Sequence, residues 1–264
     1  MLIYFLWKLF LNKYFPISRI HSYKTSKGVV FTTDNSFCYK DIINRASESS
    51  SKGVVALSAE KVFVKNNTVC GLRRYVKYFF FKPKRMSLIH EFTNLLELEH
   101  TGLTPKPLHF ELVFSFLKVK EVLIIRLYED ALTVDDYLRL NTEQAQMILK
   151  KVLNLFLKSW HKGFTHLDPH LRNILIYDGK LFFVDFEGCK IKTEDAELHF
   201  GFLFGRFYKY WFSAYMDEPE YDCHVFTFLE GSGLDLQDER FFVFYTDFKH
   251  LRFSRVATNK LFNI

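Results

Sequence analysis

The chain has 264 residues, 48% hydrophobic and 25% charged, enough to bury a sizeable core and incompatible with wholesale disorder or a low-complexity fibre. Four scattered cysteines, Cys38, Cys70, Cys189 and Cys223, show no CxxC spacing, which argues against a disulfide framework and a structural zinc site. A reducing, cytoplasmic setting is therefore the expectation. Lys plus Arg outnumber Asp plus Glu by 36 to 30, and the surplus is uneven: residues 1–33 and 61–90 contain no acid. The second stretch carries Lys61, Lys65, Arg73, Arg74, Lys77, Lys82, Lys84 and Arg85, a surface suited to a phosphate, an acidic lipid or a nucleic acid.

The first fifteen residues interleave aromatics with Lys8 and Lys13, which cut the apolar run well short of the ~20 residues a spanning helix needs. Two readings stand side by side: residues 1–20 lie in a membrane interface, or they dock on the protein itself. Ala46 to Gly53 is rich in turn formers. Val54–Leu57 and Lys61–Lys65 then read as strands joined at Ala59-Glu60. Leu88, Phe92, Leu95 and Leu96 share one face of a helix over 87–100, which Thr101-Gly102 and the prolines after it end. Val113–Leu117 and Val122–Leu127 read as a strand pair. Asn141 and Gln144 suggest a capping box for the longest helix, which Gly163 closes. Ile174–Tyr177 and Leu181–Phe186, joined by Asp178-Gly179, carry the strongest hairpin signal in the chain. Beyond Glu194 the pattern is of helices rich in Phe and Tyr.

Chemistry concentrates in His166-Leu-Asp168-Pro-His-Leu-Arg-Asn173 and in Asp185-Phe186-Glu187-Gly188. The hairpin turns Asp185 back toward Asn173. An Asn173 oxygen and the Asp185 carboxylate would suit Mg²⁺, a hard cation that takes oxygen ligands. Asp168 is left to accept a proton from a hydroxyl nucleophile. A base beside a metal site is what phosphoryl transfer requires, since its catalysis is mainly positioning and charge neutralisation.

The order HxDxxxxN, hairpin, Asp-Phe resembles the protein-kinase-like superfamily. The resemblance implies an α+β, bilobal fold, with a small antiparallel-sheet lobe over 21–130 and a mainly helical catalytic lobe over 131–264. It implies that Lys65, in Val62-Phe-Val-Lys65, contacts the α- and β-phosphates of ATP. Glu91 is then its partner on the following helix, with Glu99 as competitor. Arg126 to Asp130 becomes the hinge, with Tyr128 and Asp130 at the nucleotide. The phosphate loop falls at Ser47 to Gly53, which has four serines and one glycine where the family is glycine-rich. Glu187 stands where the usual motif has glycine, which makes a flipping switch less expected. Leu167 replaces the arginine that many protein kinases pair with a phosphorylated loop. Arg172 is a candidate for charge neutralisation at the γ-phosphate. Glu218-Pro219-Glu220 reads as a turn in an acidic loop.

Over roughly residues 50–215 the chain is most similar to bacterial lipopolysaccharide core kinases, which phosphorylate heptose or Kdo sugars at the cytoplasmic membrane face. That resemblance rests on the basic run ahead of Glu91, the helix ending in Gly-Leu-Thr-Pro, and HxDPHxxN. It implies ATP and Mg²⁺ as cofactors, an anionic glycolipid acceptor and peripheral membrane contact. A RIO-like serine/threonine protein kinase or another small-molecule phosphotransferase is the alternative, and a membrane-associated pseudokinase scaffold ranks below it. A nucleic-acid partner, suggested by Tyr75, Tyr78 and Phe79 among the basic residues, ranks last.

Overall fold

The computed structural model describes residues 21–24, 28–33, 39–49, 53–71, 87–116 and 118–263. The N-terminal segment 1–20 and the basic residues between Arg73 and Arg85 lie outside the described residues. The chain divides into two compact units, Met1–Glu129 and Asp130–Ile264. The first is sheet-rich and the second helix-rich, the division of a bilobal kinase-like fold.

In the first unit, strands β1 (His21–Lys24), β2 (Gly28–Thr32), β3 (Gly53–Leu57), β4 (Val62–Cys70), β5 (Pro107–Ser115) and β6 (Lys118–Arg126) form one antiparallel sheet. Its order is β1-β2-β5-β6-β4-β3. Strand alternation sends Val62 and Val64 to one face, where they pack with Val122, Ile124, Tyr39 and Ile42. Tyr39 and Ile42 belong to helix α1 (Tyr39–Ser49), which covers that face. Helix α2 (Ser87–Leu98) buries Leu88, Ile89, Phe92 and Leu95, and the Phe92 ring stacks on Phe110 at 5.3 Å. Gly102 ends this segment with φ 69°, the left-handed turn that glycine adopts without strain.

In the second unit, β7 (Leu132–Thr133) runs into α3 (Val134–Leu140), whose first turn is capped by Thr133 Oγ1 accepting from Asp136 N at 3.0 Å. The long helix α4 (Ala145–His161) buries Ile148, Leu149, Val152, Leu153 and Phe156. After it come β8 (Phe164–His166), β9 (Ile174–Tyr177), β10 (Lys180–Phe183) and β11 (Cys189–Ile191). β9 and β10 form the expected hairpin, with Lys180 opposite Tyr177 and a two-residue turn of Asp178 (φ 50°) and Gly179 (φ 68°). Two positive φ values in succession make it a type I′ turn, which matches strand twist. β8 pairs with β11, and β9 lies between β10 and β7.

Helices α5 (Ala196–Phe207), α6 (Glu218–Ser232), α7 (Asp238–His250) and α8 (Arg255–Leu261) complete the unit, with a π-helical turn at Tyr208–Phe212 directly after α5. Gly201 and Gly205 let α7 approach α5 closely: a Cβ on Gly201 would stand 2.5 Å from Phe244 Cβ. Lys249, nearly buried on α7, is held by Asp222 and Glu218, each at 2.8 Å.

Three local expectations are corrected. Ser47 to Ser49 continue α1 instead of forming a loop, because Tyr39 and Ile42 dock the helix on the sheet and its polar turns follow. Asn141 and Gln144 make no side-chain cap for α4; the Asn141 amide donates back to Tyr137 O at 3.0 Å, closing α3. Glu218-Pro219-Glu220 is the first turn of α6, capped by Asp217 accepting from Glu220 N at 2.9 Å.

Candidate active site

Each unit carries its own set of polar groups. In the sheet-rich unit, β4 carries Lys65 and α2 carries Glu91. The Lys65 ammonium donates to both carboxylate oxygens of Glu91, at 2.7 and 2.9 Å. Glu91 is 1% exposed, so the carboxylate is tolerable there only with its cation in place. Glu99, the competing acid, lies in the 3₁₀ turn after α2 and makes no ion pair among the described residues. Gly53 is the first residue of β3, opposite Asn66 on β4. Tyr128 and Asp130 follow the end of β6, where the chain passes from one unit to the next, Asp130 in an exposed turn.

Sequence reasoning missed what holds α2 in place. Glu121, fully buried on β6, accepts from Ile89 N at 3.2 Å and from Asn67 Nδ2 at 2.9 Å. A carboxylate at a helix N-terminus meets free amide donors and the positive end of the dipole. This bond fixes the start of the helix that presents Glu91.

In the helix-rich unit the organising residue is His166. Its Nε2 lies 3.0 Å from Val184 O and 3.1 Å from Asp185 O, and its Nδ1 lies 3.3 Å from Asp168 N. Carbonyls only accept, so Nε2 carries the proton and Nδ1 accepts from the Asp168 amide. Complete burial holds this imidazole below its ordinary pKa and therefore neutral. One side chain thus ties the main chain at Asp168 to the main chain at Asp185. The ring is sandwiched by its neighbours: stacked on Phe183 at 4.9 Å and edge-on to Phe186 at 5.1 Å.

Asp185 adopts φ 65°, uncommon for a residue with a Cβ. The flanking bonds, from His166 to the Val184 and Asp185 carbonyls and from Val184 N to Asn173 O at 2.8 Å, hold that conformation. Asn173 is fixed in turn, its amide donating to Asp168 O at 3.0 Å. The amide nitrogen being so engaged, the Asn173 side-chain oxygen is left as an acceptor. Asp168 and Asp185 line the same cavity, of about 170 Å³.

Two supports of this loop were not foreseen. Thr165, on β8 just before His166, hydrogen-bonds His199 Nδ1 at 2.7 Å, while His199 Nε2 lies 3.3 Å from Phe156 O. Burial pushes the His199 pKa down to about 3. The second support is Asp135, on α3, which accepts from Arg172 Nε at 2.8 Å and pairs with Arg139 at 3.1 Å. Burial works to raise the Asp135 pKa, but the hydrogen bond and charges of the arginines prevail and hold it below the usual carboxylate range. Arg172 is held at its Nε by Asp135. His170 caps the turn at Leu171–Asn173, Nδ1 accepting from Arg172 N at 3.0 Å, and packs against Trp211.

Among the described residues no three His, Cys, Asp or Glu side chains gather as a metal cluster. Asn173 and Asp185, the two oxygen donors expected for Mg²⁺, are linked through the main chain by Val184 N donating to Asn173 O at 2.8 Å. No helix of the described residues is long and apolar enough to cross a membrane.

No curated protein matches the chain. Among solved structures it is similar to the BubR1 kinase domain, at 12% identity and a TM-score of 0.39. The match covers 70% of this chain and 57% of that one. The family model described as lipopolysaccharide kinase (Kdo/WaaP) matches residues 44–199, more than half of the chain and a span that includes Lys65, Glu91, Asp168, Asn173 and Asp185. The chain belongs to the lipopolysaccharide kinase (Kdo/WaaP) family.

Proposed function

We propose that the protein transfers the γ-phosphoryl group of ATP to a sugar hydroxyl of the lipopolysaccharide core, working at the cytoplasmic membrane face. Family membership supports an ATP-dependent phosphotransferase with this class of acceptor. The observation that carries the reading is the shared cavity of Asp168 and Asp185, with Asn173 bonded to the Asp168 carbonyl.

Asp168 is exposed, and its backbone is held at both its amide and its carbonyl. It is the residue to orient the acceptor hydroxyl and accept its proton as the bond to phosphorus forms. Asn173 and Asp185 would hold Mg²⁺, which when bound neutralises phosphate charge. Lys65, paired with Glu91, would contact the α- and β-phosphates, while Tyr128, Asp130 and Gly53 stand for the nucleotide's remaining contacts. The basic run between Lys61 and Arg85 and the aromatic N-terminal segment would draw the enzyme to an anionic lipid surface.

The deciding experiment supplies the purified protein with labelled ATP and Mg²⁺. Core lipopolysaccharide is offered in one arm and a protein extract in the other. Label should pass to the lipopolysaccharide and, in the intact cell, the core oligosaccharide of a deletion strain should lack one phosphate by mass spectrometry. Labelling confined to protein would replace the sugar kinase by a protein kinase.

A further inference from the structure

The cavity that Asp168 and Asp185 line is lined also by Arg206 near the end of α5 and by Arg255, Thr258 and Asn259 of α8. None of these belongs to the kinase motifs. Arg206 differs from Arg139, Arg172 and Arg240 of the same unit. Arg172 and Arg139 are paired with Asp135, and Arg240 with Asp195 and Glu197. Arg206 has no ion pair among the described residues, and its Nε is buried with no hydrogen-bond partner. Its guanidinium lies over the rings of Phe202 and Tyr210, at 5.5 and 5.0 Å, which fix its direction and supply no anion. Arg255 is steered to the same cavity by Glu187, at 3.1 Å.

Resting on the kinase reading above, we propose that Arg206 and Arg255 form an anion subsite for the acceptor. It would hold a carboxylate or phosphate group of the sugar whose hydroxyl is presented to Asp168. A guanidinium fork matches either oxyanion with two parallel hydrogen bonds, and a half-buried cation lacking a counterion gains most from one. The subsite and the candidate base line one cavity the size of a single sugar ring, so an anion anchored there limits which hydroxyl reaches Asp168. Glu187, the departure from the usual glycine, thereby serves to position Arg255.

The test compares wild-type protein with R206Q and R255Q. It uses deacylated core oligosaccharide as acceptor in three forms: intact, carboxyl-reduced and dephosphorylated. Both substitutions should raise the acceptor KM by about tenfold while the KM for ATP moves by less than about twofold. Wild-type protein should show the same rise with one stripped acceptor, to which R206Q is indifferent, and that acceptor names the anion. An unchanged acceptor KM in both variants, or a rise confined to ATP, overturns the subsite.

A binding readout separates this failure from failure of the kinase reading. Wild-type protein should be thermally stabilised by glucuronate or glucose 6-phosphate but not by glucose, and R206Q should lose that shift. If core oligosaccharide is no acceptor yet the shift appears and depends on Arg206, the sugar-kinase reading falls and the anion subsite stands. No shift with either acidic sugar sinks the subsite.

Discussion

Lys65 and Glu91 show how a buried ion pair ties stability to both of its partners. The lysine side chain is 13% exposed and the glutamate 1%, so each charge is kept out of water by the other. Lys65→Met leaves the Glu91 carboxylate buried without that cation and should cost about 3–5 kcal/mol, measured by denaturant unfolding. The double variant Lys65→Met with Glu91→Leu should recover most of the loss while ATP binding stays abolished in both. A double variant less stable than the single one would contradict this account. Asp168 sits at the other extreme, exposed and resting on main-chain bonds to its own amide and carbonyl. Asp168→Asn should therefore leave the unfolding midpoint and the ATP Kd nearly unchanged while kcat falls by about 10²–10⁴. A kcat within a few-fold of wild type would remove Asp168 from the reaction.

A strand carries Lys65, a helix carries Glu91 and a loop carries Asp168, and how these elements are anchored is where sequence reading reached its limit. Glu121→Ala would strip α2 of the acceptor for Ile89 N and leave Asn67 Nδ2 without that carboxylate, at a cost of about 1–3 kcal/mol. Glu91 lies two residues beyond Ile89, so the same change should weaken ATP binding. An altered stability with unaltered ATP Kd would show that α2 holds its position without the cap. Gly205→Ala should separate α5 from α7, since the added methyl would press on the Tyr245 carbonyl and Phe248 Cβ. Overpacking of this kind costs about 1–3 kcal/mol and would show as a lowered Tm. The hairpin at Asp178-Gly179, the helix Ser87–Leu98 and the stop at Gly102 were legible because each is written in consecutive residues. Glu121, Asp135 and His199 were not, because each acts on a residue at least 32 positions away. Asn141 misled for a related reason: a capping residue can serve the helix before it as well as the one after.

At the scale of the molecule, buried histidines in both units set the response to acid. His166 and His199 lie in the helix-rich unit and His109 in the sheet-rich one, where burial pushes its pKa down to about 4. In every case burial opposes protonation in the folded state, while the unfolded chain protonates near 6.5. Below that value the unfolded state binds more protons than the folded one, so stability falls with the pH. Glu111, whose pKa burial raises, works in the opposite sense near its own range. For His109 alone, a drop from neutral pH to pH 5 should cost about 2 kcal/mol. Its ring nitrogens find no hydrogen-bond partner among the described residues, and its ring packs on Tyr39 at 4.5 Å. His109→Phe keeps that packing and removes the titration. The variant should match wild type at pH 7.5 and exceed it in Tm at pH 5, where the wild-type melting curve has moved down. Equal shifts in the two proteins would show that His109 is not protonated on unfolding, and a wild-type Tm unchanged between the two pH values would remove the buried histidines as the source of acid sensitivity.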